Sequence, residues 1–309
     1  MSYLKTVNEL FPIRRTIEEK KRFEEYALEK GKELGYISQV QELEKHRNLV
    51  FGDLSSAKVI FGAHYDTPTG GLIPNLMMPR NNVLFFAYQF LIPILLVVLG
   101  LSLAYGLQNL FHYDELGVIL IFLLIYYGFF ILLFKAFKNP HNLNDNTSGV
   151  AGVFTLMEKL SGNQEVAFVL FDDEEKGKKG SKALYKAYPN YFDQKLVINM
   201  DCIGNGDNII LISSLKAMKL NEYHKLANCF QSNQYFKVAS YPAKGSQCNS
   251  DQKSFPCGIA ILAAKRRPII GFYTPRIHTV WDKVASFENI EFIANNLKNF
   301  VDKLGDDNV

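Results

Sequence analysis

The chain has 309 residues, of which 21% are charged and 48% hydrophobic, the balance of a folded protein with room for one large domain or two small ones. A formal net charge of +3 without a dense basic block argues against a nucleic-acid binder. Phe (24) and Tyr (16) are abundant and many fall in two apolar runs, which already points to lipid contact.

The first 30 residues are charged and lack the apolar core of a secretory signal, so the chemistry-bearing part is expected to stay on the side where it is made. Residues 1 to about 45 read as helix. Thr16 followed by Glu19 forms a capping box, and Phe23, Tyr26 and Ala27 recur at helical spacing. A structural role alone is expected for this segment. Residues 58–63 are an apolar, β-branched run ending in His64, the pattern of a buried parallel strand with function at its carboxyl end. Gly70-Gly71 and Pro74 mark a loop.

Residues 83–105 are apolar apart from Gln89 and small polar residues, and residues 116–134 carry no charge. Such runs match the ~30 Å hydrocarbon core of a bilayer at 1.5 Å per residue. The short linker between them forces an antiparallel hairpin. Arg80 precedes the first run, and Lys135 and Lys138 follow the second, whereas the linker has no Lys or Arg. The positive-inside rule then predicts a two-span membrane protein with its catalytic domain on the cytoplasmic side. The expected division is 1–82 and 139–309 as two parts of one domain, with 83–138 as a transmembrane insertion.

Beyond the hairpin, helices are expected at 150–160, 181–188, 221–232 and 289–304, and strands at 166–171, 196–200, 209–213 and 259–264. This alternation predicts an α/β fold with a mostly parallel central sheet. The four cysteines contain no CxxC pair; they read as isolated buried thiols of a reducing compartment, although Cys248 and Cys257 are near enough in sequence to pair.

The chemistry centres on Asp145, at the start of an apolar helix. A two-metal site needs a shared carboxylate plus about one His and one carboxylate for each ion. Asp145 is expected to bridge, with His64 and Asp201 on one metal and Glu175 and His278 on the other. Asp66, two residues past His64, is placed to accept that histidine's other ring proton. Glu174, adjacent to a ligand but pointing differently, is expected to be the general base. Each residue alone is weak evidence, since a His-x-Asp at a strand end is commonly only a polar pair. The ordered set at strand ends and turns carries the reading.

Gly62-Ala63-His64-Tyr65-Asp66-Thr67, Asn144-Asp145-Asn146-Thr147-Ser148-Gly149-Val150-Ala151, Asp173-Glu174-Glu175, Asn199-Met200-Asp201-Cys202 and His278-Thr279 with Asp282 resemble the successive motifs of the M28 metallopeptidases. Ser250-Asp251 resembles the late loop of that family. The resemblance spans roughly residues 45–82 and 139–300. It implies a phosphorylase/hydrolase-like α/β/α sandwich, here interrupted by the hairpin, two zinc ions (Co2+ or Mn2+ being alternatives), and hydrolysis of terminal peptide bonds. The expected partners are a peptide with a free terminus and a lipid bilayer, with no nucleic acid. Three departures stand out. Lys178-Lys179 replace apolar residues, Gln252 stands where a histidine is often found, and Ile277 stands where some aminopeptidases carry an oxyanion-stabilising tyrosine. Tyr273 is the candidate to substitute for the last. The most specific expectation is a membrane-anchored aminopeptidase. The alternatives are a glutaminyl-cyclase-like acyltransferase and an inactive scaffold or receptor.

Overall fold

Three strands form the centre of the molecule: β3 (Val59–His64), β4 (Val166–Phe171) and β5 (Leu196–Met200), each buried at every position. A computed structural model describes residues 2–135 and 137–305. Strand side chains alternate between faces, and the two faces of this sheet lie in different cores. Phe61, Phe168 and Leu170 join a cluster with Phe23 of α2 (Ile17–Glu33), Phe154 of α5 (Ser148–Lys159) and Leu297 of α8 (Phe287–Gly305). Ile60, Ala167 and Val169 face the other way, onto Leu184 of α6 (Lys179–Ala187), Phe192 and Phe255. Burial on both faces explains why these strands read as continuous apolar runs.

The sheet is mixed. β3 lies parallel to β4 and β5, and β5 lies parallel to β8 (Gly258–Arg267). On one side β1 (Ser38–Leu43) and β2 (His46–Phe51) add antiparallel to β4. On the other, β6 (Asn208–Ser213) runs antiparallel to β8 and parallel to β7 (Lys237–Pro242), while β9 (Gly271–Tyr273) pairs with β8. The N-terminal stretch expected to be all helix is instead α1 (Tyr3–Leu10), α2, and then the β1–β2 hairpin. Glu44 and Lys45 take positive φ at its turn. β1 is a partly solvated edge strand without clean apolar alternation, so nothing in its pattern announces it. The expected capping box is present: Glu19 N donates to Thr16 Oγ1 at 3.2 Å and Thr16 N donates to Glu19 Oε2 at 2.9 Å.

The two apolar runs form α3 (Asn82–Phe111) and α4 (Glu115–Phe134), joined by three residues. Both helices are long and apolar enough to cross a membrane. Asp114 caps α4 by accepting from Gly117 N at 2.9 Å, and His112 ends α3 in the left-handed region. The base of the hairpin is tied to the body: Gly70 bridges Phe137, Gly71 bridges Thr279, and Leu72 N donates to Leu133 O at 2.6 Å. A Cβ on Gly71 would lie 2.2 Å from Leu133 O, so only glycine permits that approach. α7 (Asn221–Cys229) completes the helical layer beside α8.

Candidate metal centre

Every expected site residue leaves the carboxyl end of a central strand or a loop facing it. His64 ends β3, Asp173 to Glu175 follow β4, Asp201 follows β5, Asp145 precedes α5, and His278 follows β9. Parallel strands converge their carboxyl ends on one edge, where ligand sites of open α/β sheets gather. The structure brings the expected ligands together there. Asp145 Oδ1 is 3.3 Å from His64 Nε2, and Oδ2 is 3.0 Å from His278 Nε2. Asp201 Oδ1 lies 3.8 Å from His64 Nε2, and Glu175 Oε2 lies 3.5 Å from His278 Nε2. Two triads result, His64–Asp145–Asp201 and Asp145–Glu175–His278, with ligand atoms within 4.8 Å of one another in each. They share Asp145.

Asp145 is held in this two-sided pose by its neighbours. Its N–H donates to Asp282 Oδ2 at 2.9 Å, and Asn144 N donates to Asp282 Oδ1 at 3.2 Å. The Asp145–Asn146 peptide is cis. Asn146 Nδ2 donates to Met200 O at 3.0 Å, and its Oδ1 accepts from Gly149 N and Cys202 N, so one amide ties β5 to the start of α5. Gly149 packs so closely that a Cβ would lie 2.3 Å from Met200 O.

Asp66 serves two partners. His64 Nδ1 is 3.1 Å from the Asp66 main-chain carbonyl and 3.5 Å from its carboxylate. The carboxylate accepts from Glu174 N at 3.0 Å and Glu175 N at 3.2 Å. The turn after β4 points two amides at Asp66, whose carboxylate holds them by charge-assisted bonds while still lying against the His64 ring. Asp66 therefore orients the Glu174–Glu175 pair.

Three residues outside the expected site, Lys20, His46 and Arg14, support the same turn and loop. Lys20 of α2 is buried and donates to Asp172 Oδ1 at 2.5 Å and Asp173 Oδ1 at 2.6 Å. His46 Nδ1 lies 2.8 Å from Asp173 Oδ2. Arg14 is fully buried; its Nε donates to Tyr65 O at 2.5 Å and its guanidinium reaches Thr147 Oγ1 at 3.2 Å. The N-terminal segment thus braces both the loop after β3 and the loop carrying Asp145. Only the apolar spacing of α2 was visible beforehand, because isolated Lys and Arg in a charged helix read as solvated. Tyr273 lines a separate cavity with Gly204 and Arg267, away from the triads. All four cysteines are buried and free.

The electrostatics are those of a site that gathers positive charge. Burial alone would lower His64 and His278, but hydrogen bonds donated to Asp145, Asp201 and Asp66 hold His64 well above its ordinary pKa, and Glu175 and Asp145 lift His278 to about 10. Asp145 is held well below the carboxylate range, because hydrogen bonds from both histidines outweigh its burial. Burial raises Glu174 strongly and lifts Glu175 to about 8, Asp251 to about 7 and Asp282 to about 8. Glu175 Oε1 and Asp201 Oδ1 are buried with no hydrogen-bond partner. Nitrogen and oxygen donors with free lone pairs, converging in two triads, fit a divalent ion such as zinc. Asp251, singled out earlier only as part of a late loop, is fully buried with both oxygens unpartnered.

Two cavities meet at this centre. The smaller, of about 310 Å³, contains His64, Asp145, Glu174 and Asp201. The larger, of about 740 Å³, lies between the N-terminal segment and the base of the hairpin, with Ile92 and Pro93 of α3 and Phe130 and Phe134 of α4 in its wall. Asn75, Glu175 and His278 line both.

The model of peptidase family M28 matches residues 111–300 of this sequence. No curated protein sequence is similar enough to count as a match. Among solved structures, a Zn-dependent exopeptidase from Parabacteroides distasonis aligns over 97% of this chain and 95% of its own, at 14% identity and a TM-score of 0.61. The LapA aminopeptidase of Legionella pneumophila covers 98% of this chain and 69% of its own, at 13% identity and a TM-score of 0.59. A glutaminyl cyclase from Fimbriiglobus ruber covers 97% and 92%, at 13% identity and a TM-score of 0.55. Identities this low establish a shared fold and leave the reaction to the site itself.

Proposed function

This chain belongs to peptidase family M28, and on that premise we propose that it is a membrane-anchored exopeptidase, an aminopeptidase that works with two zinc ions. The observation that carries the reading is Asp145, whose two oxygens face His64 and His278 separately, with Asp201 completing one triad and Glu175 the other. Zinc bound there would polarise the scissile carbonyl and acidify the attacking water. Glu174 takes the proton of that water as its oxygen bonds to the carbonyl carbon. The same carboxyl then delivers the proton to the leaving nitrogen as the C–N bond breaks. Asp66 and Lys20 keep Glu174 and Glu175 in register through their amides and the preceding aspartates.

The hairpin is proposed to span a bilayer with the catalytic body on the cytoplasmic side. Its base supplies apolar wall to the larger cavity, so the membrane surface borders the path to the metal centre and favours short or hydrophobic peptides. A glutaminyl-cyclase-like acyltransferase is the second reading, favoured by the shared fold of the Fimbriiglobus ruber enzyme. A single-metal cyclase has no use for the complete His64–Asp145–Asp201 triad.

Metal analysis of detergent-purified protein, together with hydrolysis of aminoacyl-anilides before and after chelation, tests the proposal. About two zinc per chain and chelator-sensitive release of the N-terminal residue are expected. One metal with cyclisation of N-terminal glutamine would favour the cyclase, and no metal with no activity would defeat both readings.

A further inference from the structure

The smaller cavity contains a charge that metal binding does not use. Lys178 is 8% exposed and lines this cavity beside Glu174. Its position is set by the turn after the glutamate pair: Gly177 N and Lys178 N both donate to Glu174 O at 2.8 Å, and Lys178 takes φ +60. Its Nζ donates to Asn249 Oδ1 at 2.9 Å and makes no ion pair among the described residues. An ammonium carries three donors, and Asn249 takes one. Glu174 and Asp251 act on this ammonium through space, but neither accepts a hydrogen bond from Nζ, so two of its donors remain free for a ligand carboxylate. Among the described lining residues Lys178 is the sole ammonium, and Gln247 and Asn249 add polar groups near it. Met77, Phe85 and Ile277 supply apolar wall.

The volume of about 310 Å³, which includes the space in front of His64, Asp145 and Asp201, is at the small end of ligand pockets and leaves room beside Lys178 for one side chain rather than a polypeptide. We propose that this cavity is the subsite for the residue on the acyl side of the scissile bond and that Lys178 selects an acidic side chain there, making N-terminal glutamate and aspartate the preferred residues. The side-chain methylenes lie against Met77, Phe85 and Ile277 while the carboxylate meets Nζ. This inference rests on the peptidase reading and deepens it.

The test compares glutamyl-, aspartyl-, leucyl- and lysyl-anilides with zinc-loaded, full-length protein in detergent. The acidic anilides are expected to exceed leucyl-anilide in kcat/KM by about tenfold or more, mainly through KM, the scale of a charge-assisted hydrogen bond. Lys178→Met is expected to abolish or invert that ranking, and Lys178→Arg to keep part of it. Calorimetry on the Glu174→Gln protein provides a readout free of turnover, with glutamyl-amide expected to bind more tightly than leucyl-amide. A wild-type preference for leucine overturns the inference whether or not the variants fold. So does Lys178→Met lowering every substrate equally without reordering them, which would make Lys178 a positioning residue for Glu174. Hydrolysis without any preference defeats this inference alone, whereas no hydrolysis of any anilide defeats the peptidase reading with it.

Discussion

β4 is built of Val, Ala, Phe and Leu and α4 mainly of Leu, Ile, Phe, Tyr and Val, yet these two apolar elements end in opposite surroundings. All six residues of β4 are buried, because helices of the same chain cover both faces of the sheet. On α4, Leu116, Ile119, Leu120, Leu124 and Tyr127 are each more than half exposed, and Val118 is buried. Nothing in the described chain covers that outer surface. Each exposed leucine or isoleucine forgoes roughly 1.5–3 kcal/mol of burial in water, a loss that a hydrocarbon environment removes. Body and hairpin thus treat similar apolar chemistry differently, one covered by its own chain and the other left open among the described residues. The candidate metal ligands belong to the body, and the hairpin supplies walls of both cavities.

The sharpest way to break that division is to attack the body. Glu174→Gln is expected to lower kcat by about 10³-fold or more, with zinc content unchanged by metal analysis. Asp145→Ala is expected to lose both, because it removes the carboxylate common to the two triads. Glu174→Gln protein with activity near wild type would remove Glu174 from the chemistry.

Lys20→Met asks whether the body depends on its N-terminal brace. It leaves Asp172 and Asp173 buried without their shared cation, and a loss of about 3 kcal/mol is expected in thermal or denaturant unfolding. The same cluster gives a pH dependence. Although burial would raise it, hydrogen bonds from Lys20 and Lys176 hold Asp173 well below its ordinary value. Its folded pKa is thus depressed, so its contribution is complete above the unfolded value of about 4 and is lost as pH falls below it. Asp173→Asn in metal-free protein should flatten the acid limb of stability against pH. An unchanged limb would show that the ion pairs contribute nothing.

The hairpin is tested by alkaline carbonate. Full-length protein in vesicles should resist extraction, and release into the aqueous phase would mean that α3 and α4 do not span. Replacing residues 82–135 by a short flexible linker is expected to lower kcat/KM for apolar peptides by about tenfold, since binding energy worth 1.4 kcal/mol is a factor of ten. Equal kcat/KM would reduce the hairpin to an anchor. The smallest expected effect is Thr16→Ala, which removes the side-chain cap of α2 and should cost about 1 kcal/mol in unfolding experiments.

Much of the centre was legible because its residues lie where local pattern changes. His64 and Asp201 end apolar strands, Asp145 opens a helix, and Glu174-Glu175 sit in a turn. Such punctuation is visible without knowing what packs against it. Arg14 and Lys20 left no such trace, since their burial depends on partners such as the Tyr65 carbonyl and the Asp173 carboxylate, 51 and 153 positions away. The β1–β2 hairpin was missed for a related reason. Its outer strand is half solvated, and its pairing depends on β2 already being docked on β4.

The sequence by itself determined the strand-and-helix alternation of the body, two helices of membrane-spanning length, and the inventory of histidines and carboxylates at strand ends, because periodicity and chain punctuation are local. Only the tertiary structure decided which oxygen of Asp145 meets which histidine, that Asp66 serves the amides of Glu174 and Glu175 more than the ring of His64, that Tyr273 lies elsewhere, and that Lys178 is buried in the cavity beside Glu174. Those are distances and orientations between residues far apart in the chain, and only packing sets them.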